Sequence, residues 1–487
     1  MIDVLGCGIT QATMQISDAR ACVGVGVLWL QLAACSSATD SGPDGVVAGS
    51  APIAGSTGSL AAGGAPINAG GGTSGAPAVA GAGSGGSAAG TSDVAGAGGR
   101  AAGTSGAAGA GGSAAGAGGS AIGAAGTGGG GAGRAGSSAA GPGPAENTPT
   151  GYGQGTTGGG ENKAVTVATF AALQAAIDGY SGAGGLVLEY TGKFEFASIK
   201  DPCLQHTLPA QTIEIKSKSD ITLLGAAGSS ANFGFHIAAA ASNVIIRNMT
   251  IGLLPGGSDS DMISIEGMSG GVPKNIWIDH NELFSSLAVC EGAGDTAFDG
   301  MLDIKKGGDR ITVSYNYLHD HHKVSLNGYT DGDDALRQIT FHHNWFENIG
   351  SRVPLQRHGY AHLLNNFFSK VQTSGINVRM GGYALIEANY FENVKNPVTA
   401  RDSSAVGFWD LRNNNLVTAA DVAPGNQFGI TWDDGNSGTV NATAWATSAA
   451  FPVALGYSLA AQPAQCVHDG LPAVAGANKA LATLRCK

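Results

Sequence analysis

Six runs rich in valine, isoleucine and aromatic residues end on an asparagine followed by hydrophobic side chains: NVIIRNMTI, NIWIDHNELF, RITVSYNYL, QITFHHNWF, HLLNNFF and ALIEANYF. The asparagines are Asn248, Asn281, Asn316, Asn344, Asn366 and Asn389, with Asn414 in LRNNNL a weaker seventh. Their successive spacings are 33, 35, 28, 22, 23 and 25 residues. Recurrence at this period is the mark of a solenoid, in which each repeat buries its apolar side against its neighbours. A parallel coil of short strands fits, with a repeated corner where Asn amides hydrogen-bond from rung to rung. The longer intervals then hold loops inserted on one side of several rungs, which is where a cleft forms. Leucines do not recur at the fixed offsets of a leucine-rich repeat; an antiparallel sandwich is the structural alternative, but hairpin dipeptides between the runs are scarce. In TFAALQAAIDGY, residues 169–180, Phe170, Leu173 and Ile177 recur at helical spacing, which predicts a short helix capping the open N-terminal end. The expected fold is all-β: a parallel β-helix with an Asn ladder and one capping helix.

The repeat occupies only the second part of the chain. Of the 81 glycines, 43 fall between residues 37 and 160, in a stretch of Gly, Ala, Ser and Thr with almost no large apolar side chain. Such a segment cannot offset the entropy of ordering and is expected to be a disordered linker, residues 36–151, with a root-mean-square reach of roughly 60 Å. Ahead of it, residues 1–35 include ACVGVGVLWLQLAAC after Arg20, an apolar stretch too short to span a membrane and suited to a signal-peptide core. Its end, LAAC, resembles a bacterial lipoprotein cleavage box, which implies lipidation of Cys35. Asp3 and Asp18 weaken the positive n-region, and Met14 is an alternative start. A secreted or surface protein, held to the outer membrane only through that lipid, is the expectation. The folded domain is placed at residues 152–487. Its four cysteines, Cys203, Cys290, Cys466 and Cys486, suit two disulfides in an exported domain, and four cysteines allow three pairings.

Carboxylates come in two close pairs, Asp259 with Asp261 in GGSDSDMI and Asp299 with Asp303 in FDGMLDIK. On a strand, residues two or four apart share a face, so each pair would present its oxygens together. A hard cation such as Ca²⁺ needs that kind of donor set, whereas Gly-Ser-Asp clusters also mark ordinary turns. A glycoside hydrolase pair is a further possibility, but it needs one carboxyl kept protonated in an apolar pocket. Histidines cluster at His319, His321 and His322 and at His342 and His343. A zinc site is conceivable there, but adjacent strand residues face opposite ways, so stacked rung positions are the plainer reading.

The chain is acidic, with 25 Lys and Arg against 36 Asp and Glu, so a bunching of cations carries information. Lys305, Lys306, Lys323, Arg352, Arg357 and Arg379 all lie within the repeat. A local positive strip lets an acidic protein meet a polyanion, and arginine binds carboxylates in a bidentate way. No basic domain or aromatic platform points to nucleic acid. In SRVPLQRHG the two arginines are five apart and would face opposite sides of a regular strand; Pro354 between them can mark a bend that turns both into a cleft.

Several long segments now resemble one family: WIDHNELF, DGMLDIKKGGDRITVSYNYLHDHHK, FHHNWFENIGSRVPLQRHG, INVRMGGYALIEANYFENVKNPVTAR and GSSANFGFHI. They are similar to the bacterial pectate lyases of polysaccharide lyase family 1, which fold as a right-handed parallel β-helix. The resemblance runs from about residue 160 to the QCVHDGLP tail and leaves out the leader and linker. It implies Ca²⁺ bound by Asp261, Asp299 and Asp303, with Asp259 a fourth ligand; some members carry Glu at the position of Asp299. It implies Arg352 as the base, Lys323 and Arg357 on the uronate carboxylate, and Lys305 and Arg379 as flanking substrate contacts. It implies the pairings Cys203 with Cys290 and Cys466 with Cys486, worth on the order of 4.5 and 3 kcal/mol by loop entropy. The implied activity is calcium-dependent β-elimination on polygalacturonate by a monomer. Pectin lyases replace these acids with aromatics and a cation, a dead binding protein would not need Lys323, Arg352 and Arg357 together, and a polygalacturonase-like hydrolase has only the generic paired acids in its favour.

Overall fold

The computed structural model describes residues 141–415, 427–433 and 445–487, apart from the side chain of Asp259. The leader, Cys35, Met14 and nearly all of the Gly-rich linker lie outside the described residues.

The domain is a parallel β-helix. Three sheets of ten, eight and six strands run along it, and every strand pair in them is parallel. Within each rung the chain passes from one sheet to the next, so strands hydrogen-bond to the rungs before and after. The interior is built from like residues stacked in register. Ile276, Ile311 and Ile339 align in the ten-stranded sheet, as do Ile237, Ile265 and Ile304 in the eight-stranded one. Phe346, Phe368 and Phe391 stack in the six-stranded sheet, with ring centroids 5.1 and 4.8 Å apart. All nine are fully buried. Alternation follows from the pleat: residues between these core positions point outward.

The Asn ladder forms, one residue out of step with the expectation at its first rung. Oδ1 of Asn316 accepts from both the backbone N and Nδ2 of Asn281, at 2.9 and 3.0 Å, and the pattern repeats through Asn344, Asn366, Asn389 and Asn414. The weaker seventh asparagine is therefore a full member. Asn248 is not. It aligns with His280, and Met249 takes the ladder position, its N–H donating to Asn281 Oδ1 at 2.9 Å. The residue before each ladder asparagine has a positive φ, from His280 and Tyr315 to Asn413. Asn248, at φ 59°, occupies that corner, where asparagine is favoured for its tolerance of the left-handed region.

The expected helix is present as Phe170–Gly179, capped by the Thr169 hydroxyl accepting from Ala172 N at 3.1 Å. Leu173 and Ile177 close the open end of the core. Gln174 also pairs with the free edge of the outermost strand, accepting from Glu214 N at 2.8 Å and donating to Glu214 O at 3.2 Å, so that edge is covered. Gly141–Gly143, placed in the linker by composition, pairs antiparallel with Thr483–Arg485. Arg247 Nη2 donates to Glu146 O at 2.7 Å and Tyr152 N to Thr340 Oγ1 at 3.0 Å, so residues 141–151 are docked on the domain rather than part of a free tether. Disulfides join Cys203 to Cys290 and Cys466 to Cys486.

Candidate active site

The outer face of the eight-stranded sheet carries Asp303, Lys305, Arg357 and Arg379, while Lys323 ends strand Tyr317–Lys323 of the six-stranded sheet and Arg352 follows strand Trp345–Ser351. Leu302 and Ile304 face the core, so Asp303 and Lys305 of strand Leu302–Lys305 face out. Register then sets one row across the sheet: Glu266, Lys305, Gly328, Arg357 and Arg379. The glycine in the middle of this row places no side chain between Lys305 and Arg357.

Beside the row lies a cluster of acids. Neither carboxylate pair stands on one strand as expected. Asp259 falls in the turn Gly257–Asp259, its side chain outside the described residues, and Asp261 follows before strand Ile263–Glu266. Asp299 sits in the loop ahead of Leu302–Lys305, and only Asp303 lies within a strand. Loop ends, not a shared pleat, bring them together. Asp261 Oδ1 accepts from Gly300 N at 3.0 Å, and its Oδ2 lies 2.6 Å from Lys305 Nζ. Asp303 accepts from Leu326 N at 3.0 Å, and a Cβ at Gly300 would overlap its carboxylate. Lys323 Nζ is 3.6 Å from Asp299 Oδ1.

The electrostatics follow from crowding. Burial, reinforced by the charge of Asp261, pushes the Asp303 carboxyl well above the usual range and the Asp299 carboxyl up in the same way. Burial disfavours the Lys305 ammonium, but Asp261 and Asp303 outweigh it and hold the group more firmly protonated. Among the described residues no three His, Cys, Asp or Glu side chains stand close enough to hold a metal as they are. The donor chemistry nevertheless suits a hard cation. Three carboxylates disfavour one another's charge, and an intramolecular ammonium already stands in among them.

The stretch SRVPLQRHG makes the corner between strands Trp345–Ser351 and Leu355–Arg357. Arg352 has φ 63° and Val353–Pro354 is cis; Arg352 and Arg357 lie close enough that the charge of one acts on the other. Arg357 donates from Nε to Asp331 Oδ1 at 2.8 Å and from Nη1 to Gly328 O at 3.0 Å. The Arg352 guanidinium makes no hydrogen bond among the described residues. Burial pulls its pKa down and the positive charge of Arg357 adds to this, against the opposing pull of Asp303 and Asp299. Arg379, next in the row, is drawn down to about 10 by burial and by Arg357, and its Nε donates to Asn377 Oδ1 at 3.1 Å. Lys306 turns away, to Glu266 at 2.6 Å and the ring of Tyr329.

The histidines do not assemble a zinc site. His319 stacks on Tyr317 and Phe284, and His343 on Tyr315. His321 is buried, its Nδ1 against Ser285 Oγ and its Nε2 donating to the carbonyl of Asp299, which fixes the loop bearing that acid. His321 stands out in the sequence as part of a histidine cluster, though not for this role, whereas Asp331 and the buried Arg337 carry no local signal.

The chain is similar to known pectate lyases in sequence and in fold. The pectate lyase family model matches residues 100–480. Pectate lyase 3 of Pectobacterium carotovorum subsp. carotovorum is 45% identical over 312 residues, 62% of this chain and 80% of that protein. The structure of pectate lyase II from Xanthomonas campestris pv. campestris superimposes with a TM-score of 0.66 at 56% identity, covering 69% of this chain and all of that one. Pectate lyase C from Erwinia chrysanthemi, solved with Ca²⁺, superimposes with a TM-score of 0.64 at 38% identity, over 70% of this chain and 99% of that one. An arginine-to-lysine variant of pectate lyase C, solved with pentagalacturonic acid, gives 0.63 at 37% over the same shares.

Proposed function

The chain belongs to the pectate lyase family, and on that premise we propose that it cleaves α-1,4-linked polygalacturonate by calcium-dependent β-elimination, with Arg352 as the base. The observation that carries this reading is the state of Arg352. It is buried beside Asp303 and Arg357, and of Arg352, Arg357 and Arg379 it is the one whose guanidinium has no hydrogen-bond partner among the described residues.

In a uronate the C5 proton lies next to the C6 carboxylate and becomes removable when charge developing on that group is stabilised. Lys323 and Arg357 reach the cleft from neighbouring rungs and would hold the carboxylate. Lys305 and Arg379, in one row with Arg357, would contact flanking sugars. Asp261, Asp299 and Asp303, with Asp259 adjoining, would hold Ca²⁺, which when bound supplies Lewis-acid neutralisation of the carboxylate. Arg352 then takes the C5 proton, the C4–O bond breaks with its electron pair leaving on the oxygen, and a C4=C5 double bond forms. No water is consumed, and the departing oxygen takes up one proton. Free arginine keeps its proton across the ordinary pH range and so is not normally available as a base. Burial and Arg357 lower its pKa, and the cations of the loaded site act in the same direction, so an alkaline optimum is expected.

Incubation with polygalacturonate, with and without a calcium chelator, tests the reading. Ultraviolet-absorbing unsaturated ends that vanish on chelation support it. New reducing ends without that absorbance mean hydrolysis, and no cleavage at all means a binding protein.

We propose also that the protein is exported and tethered at the cell surface through lipidated Cys35, as a monomer. Two disulfides in the folded domain suit an oxidising compartment. The mass of the mature N-terminus tests this: an acylated peptide beginning at Cys35 is expected, and an unmodified one removes the anchor.

A further inference from the structure

Arg357 is a long side chain on a cleft face, yet its position is tightly specified. The loop from Gly328 to Leu336 leaves strand Leu326–Asn327 and returns to strand Gln338–His342. At its root Arg337 is buried, donating from Nη1 to the backbone carbonyl of Arg357 at 2.8 Å and from Nη2 to the carboxylate and carbonyl of Asp333. Asp333 Oδ2 in turn accepts from Tyr329 N at 2.8 Å and Lys306 N at 2.7 Å. Gly328, at φ +104°, has no room for a side chain: a Cβ there would come within 2.8 Å of Arg357 Cβ and 2.9 Å of Arg337 Nη1.

The tip of this loop carries Asp331. Its Oδ1 accepts from Arg357 Nε at 2.8 Å, its Oδ2 from Ser404 Oγ at 2.6 Å, and its carbonyl from His358 Nε2 at 2.8 Å. An isolated ion pair on a half-exposed surface contributes little, but this one is tied to three segments of chain. With Nε committed to Asp331 and Nη1 to Gly328 O, the Nη2 group of Arg357 is the one left without a partner among the described residues.

We propose that Asp331 is a positioning residue: it holds Arg357 by its Nε edge so that Nη2 is presented to a sugar carboxylate in the cleft. The inference rests on the polygalacturonate reading above and adds to it a residue that would not touch the substrate. The Ser404 hydrogen bond, opposed by burial and aided by Arg357, keeps the Asp331 carboxyl below its ordinary range, so the arrangement is charged wherever the enzyme works. Fixing a rotamer-rich side chain before binding removes an ordering cost, equivalent to roughly a two- to tenfold gain in affinity.

The test is a comparison of kcat and KM on polygalacturonate for the full chain and for Asp331→Ala, Asp331→Asn and Ser404→Ala, with thermal melting of each. Asp331→Ala is expected to raise KM roughly three- to tenfold and leave kcat within about twofold. Asp331→Asn, which keeps an oxygen for Nε, recovers most of that loss, and Ser404→Ala gives a smaller rise in KM. In an Arg357→Ala background, Asp331→Ala adds nothing further. Should Asp331→Ala melt early, Asp331→Asn and Ser404→Ala carry the comparison. An unchanged KM, a KM that falls because Asp331 competes with substrate, or full additivity with Arg357→Ala overturns the proposal while leaving the lyase reading intact. A parent protein that yields no unsaturated product overturns both.

Discussion

Lys305 places its ammonium 2.6 Å from Oδ2 of Asp261, among the carboxylates proposed to bind calcium. A cation entering that cluster must compete with it. Lys305→Met is therefore expected to tighten Ca²⁺ binding in the absence of substrate by roughly fivefold, the equivalent of an ion pair worth about 1 kcal/mol. Calorimetric titration of the substrate-free protein reads this directly. Equal affinity for the two proteins would mean that the ammonium moves aside at no cost.

Arg352→Lys separates the base from the binding groups. Lysine keeps a positive charge in the cleft, but the short, compact ammonium does not reach where the guanidinium does. Turnover is expected to fall by roughly two to four orders of magnitude, the scale of a lost general base, with affinity for oligogalacturonates changed less than fivefold. Steady-state rates together with equilibrium binding check it, and a variant with unaltered turnover would remove Arg352 from the chemistry.

Asn344 is interior to the ladder. Its Oδ1 accepts from Asn316 N and Nδ2, and its Nδ2 donates to Val313 O at 2.9 Å and to Asn366 Oδ1 at 3.0 Å. Asn344→Ala leaves several fully buried polar groups unpaired, each costing about 1–3 kcal/mol. A loss of roughly 3–5 kcal/mol in urea denaturation is expected, against about 1 kcal/mol for Asn248→Ala, since Asn248 is half-buried and stands outside the ladder. Equal costs at the two sites would contradict the register described above.

That contrast shows what could be read from the chain beforehand. The repeat was legible because an apolar run closing on asparagine is a local pattern, and so was the capping helix. The pattern alone could not show that Asn248 lies one position early, because Met249 in the ladder slot is set by pairing with Asn281, 32 residues away. The charged residues of the cleft were legible as a group. Their convergence was not, since Asp261 and Asp299 arrive on loops rather than on a shared strand. Asp331 and Arg337 were not legible for a related reason. Asp331 sits in YTDGDD, which reads as a turn, and its partner Ser404 is 73 residues on.

Acid should weaken the fold through His342 and His343, which lie inside the domain. Burial pulls the His342 imidazole far below its ordinary pKa and, although Asp279 opposes this, the neighbouring His343 and His362 reinforce it. Burial holds His343 at about 4. Both are neutral in the native state near neutrality. Below about pH 6.5 the unfolded chain takes up protons that the native protein does not, so stability falls on acidification by up to about 1.4 kcal/mol per pH unit for each. His343 contributes this slope down to about pH 4, and His342 acts in the same direction. His236 and His319 work the other way. Glu214 raises the first, and Asp320 and Glu282 raise the second against its burial, so they stabilise the fold at low pH and lose that effect as pH rises. A difference measurement isolates the buried pair. His343→Phe keeps a ring against Tyr315, 4.7 Å away in the parent, and removes the titration. The variant is expected to be less stable at pH 7, yet to lose roughly 1 kcal/mol per pH unit less than the parent between pH 6 and pH 4.5 in denaturation experiments. Parallel slopes for the two proteins would show that His343 is protonated in the native state.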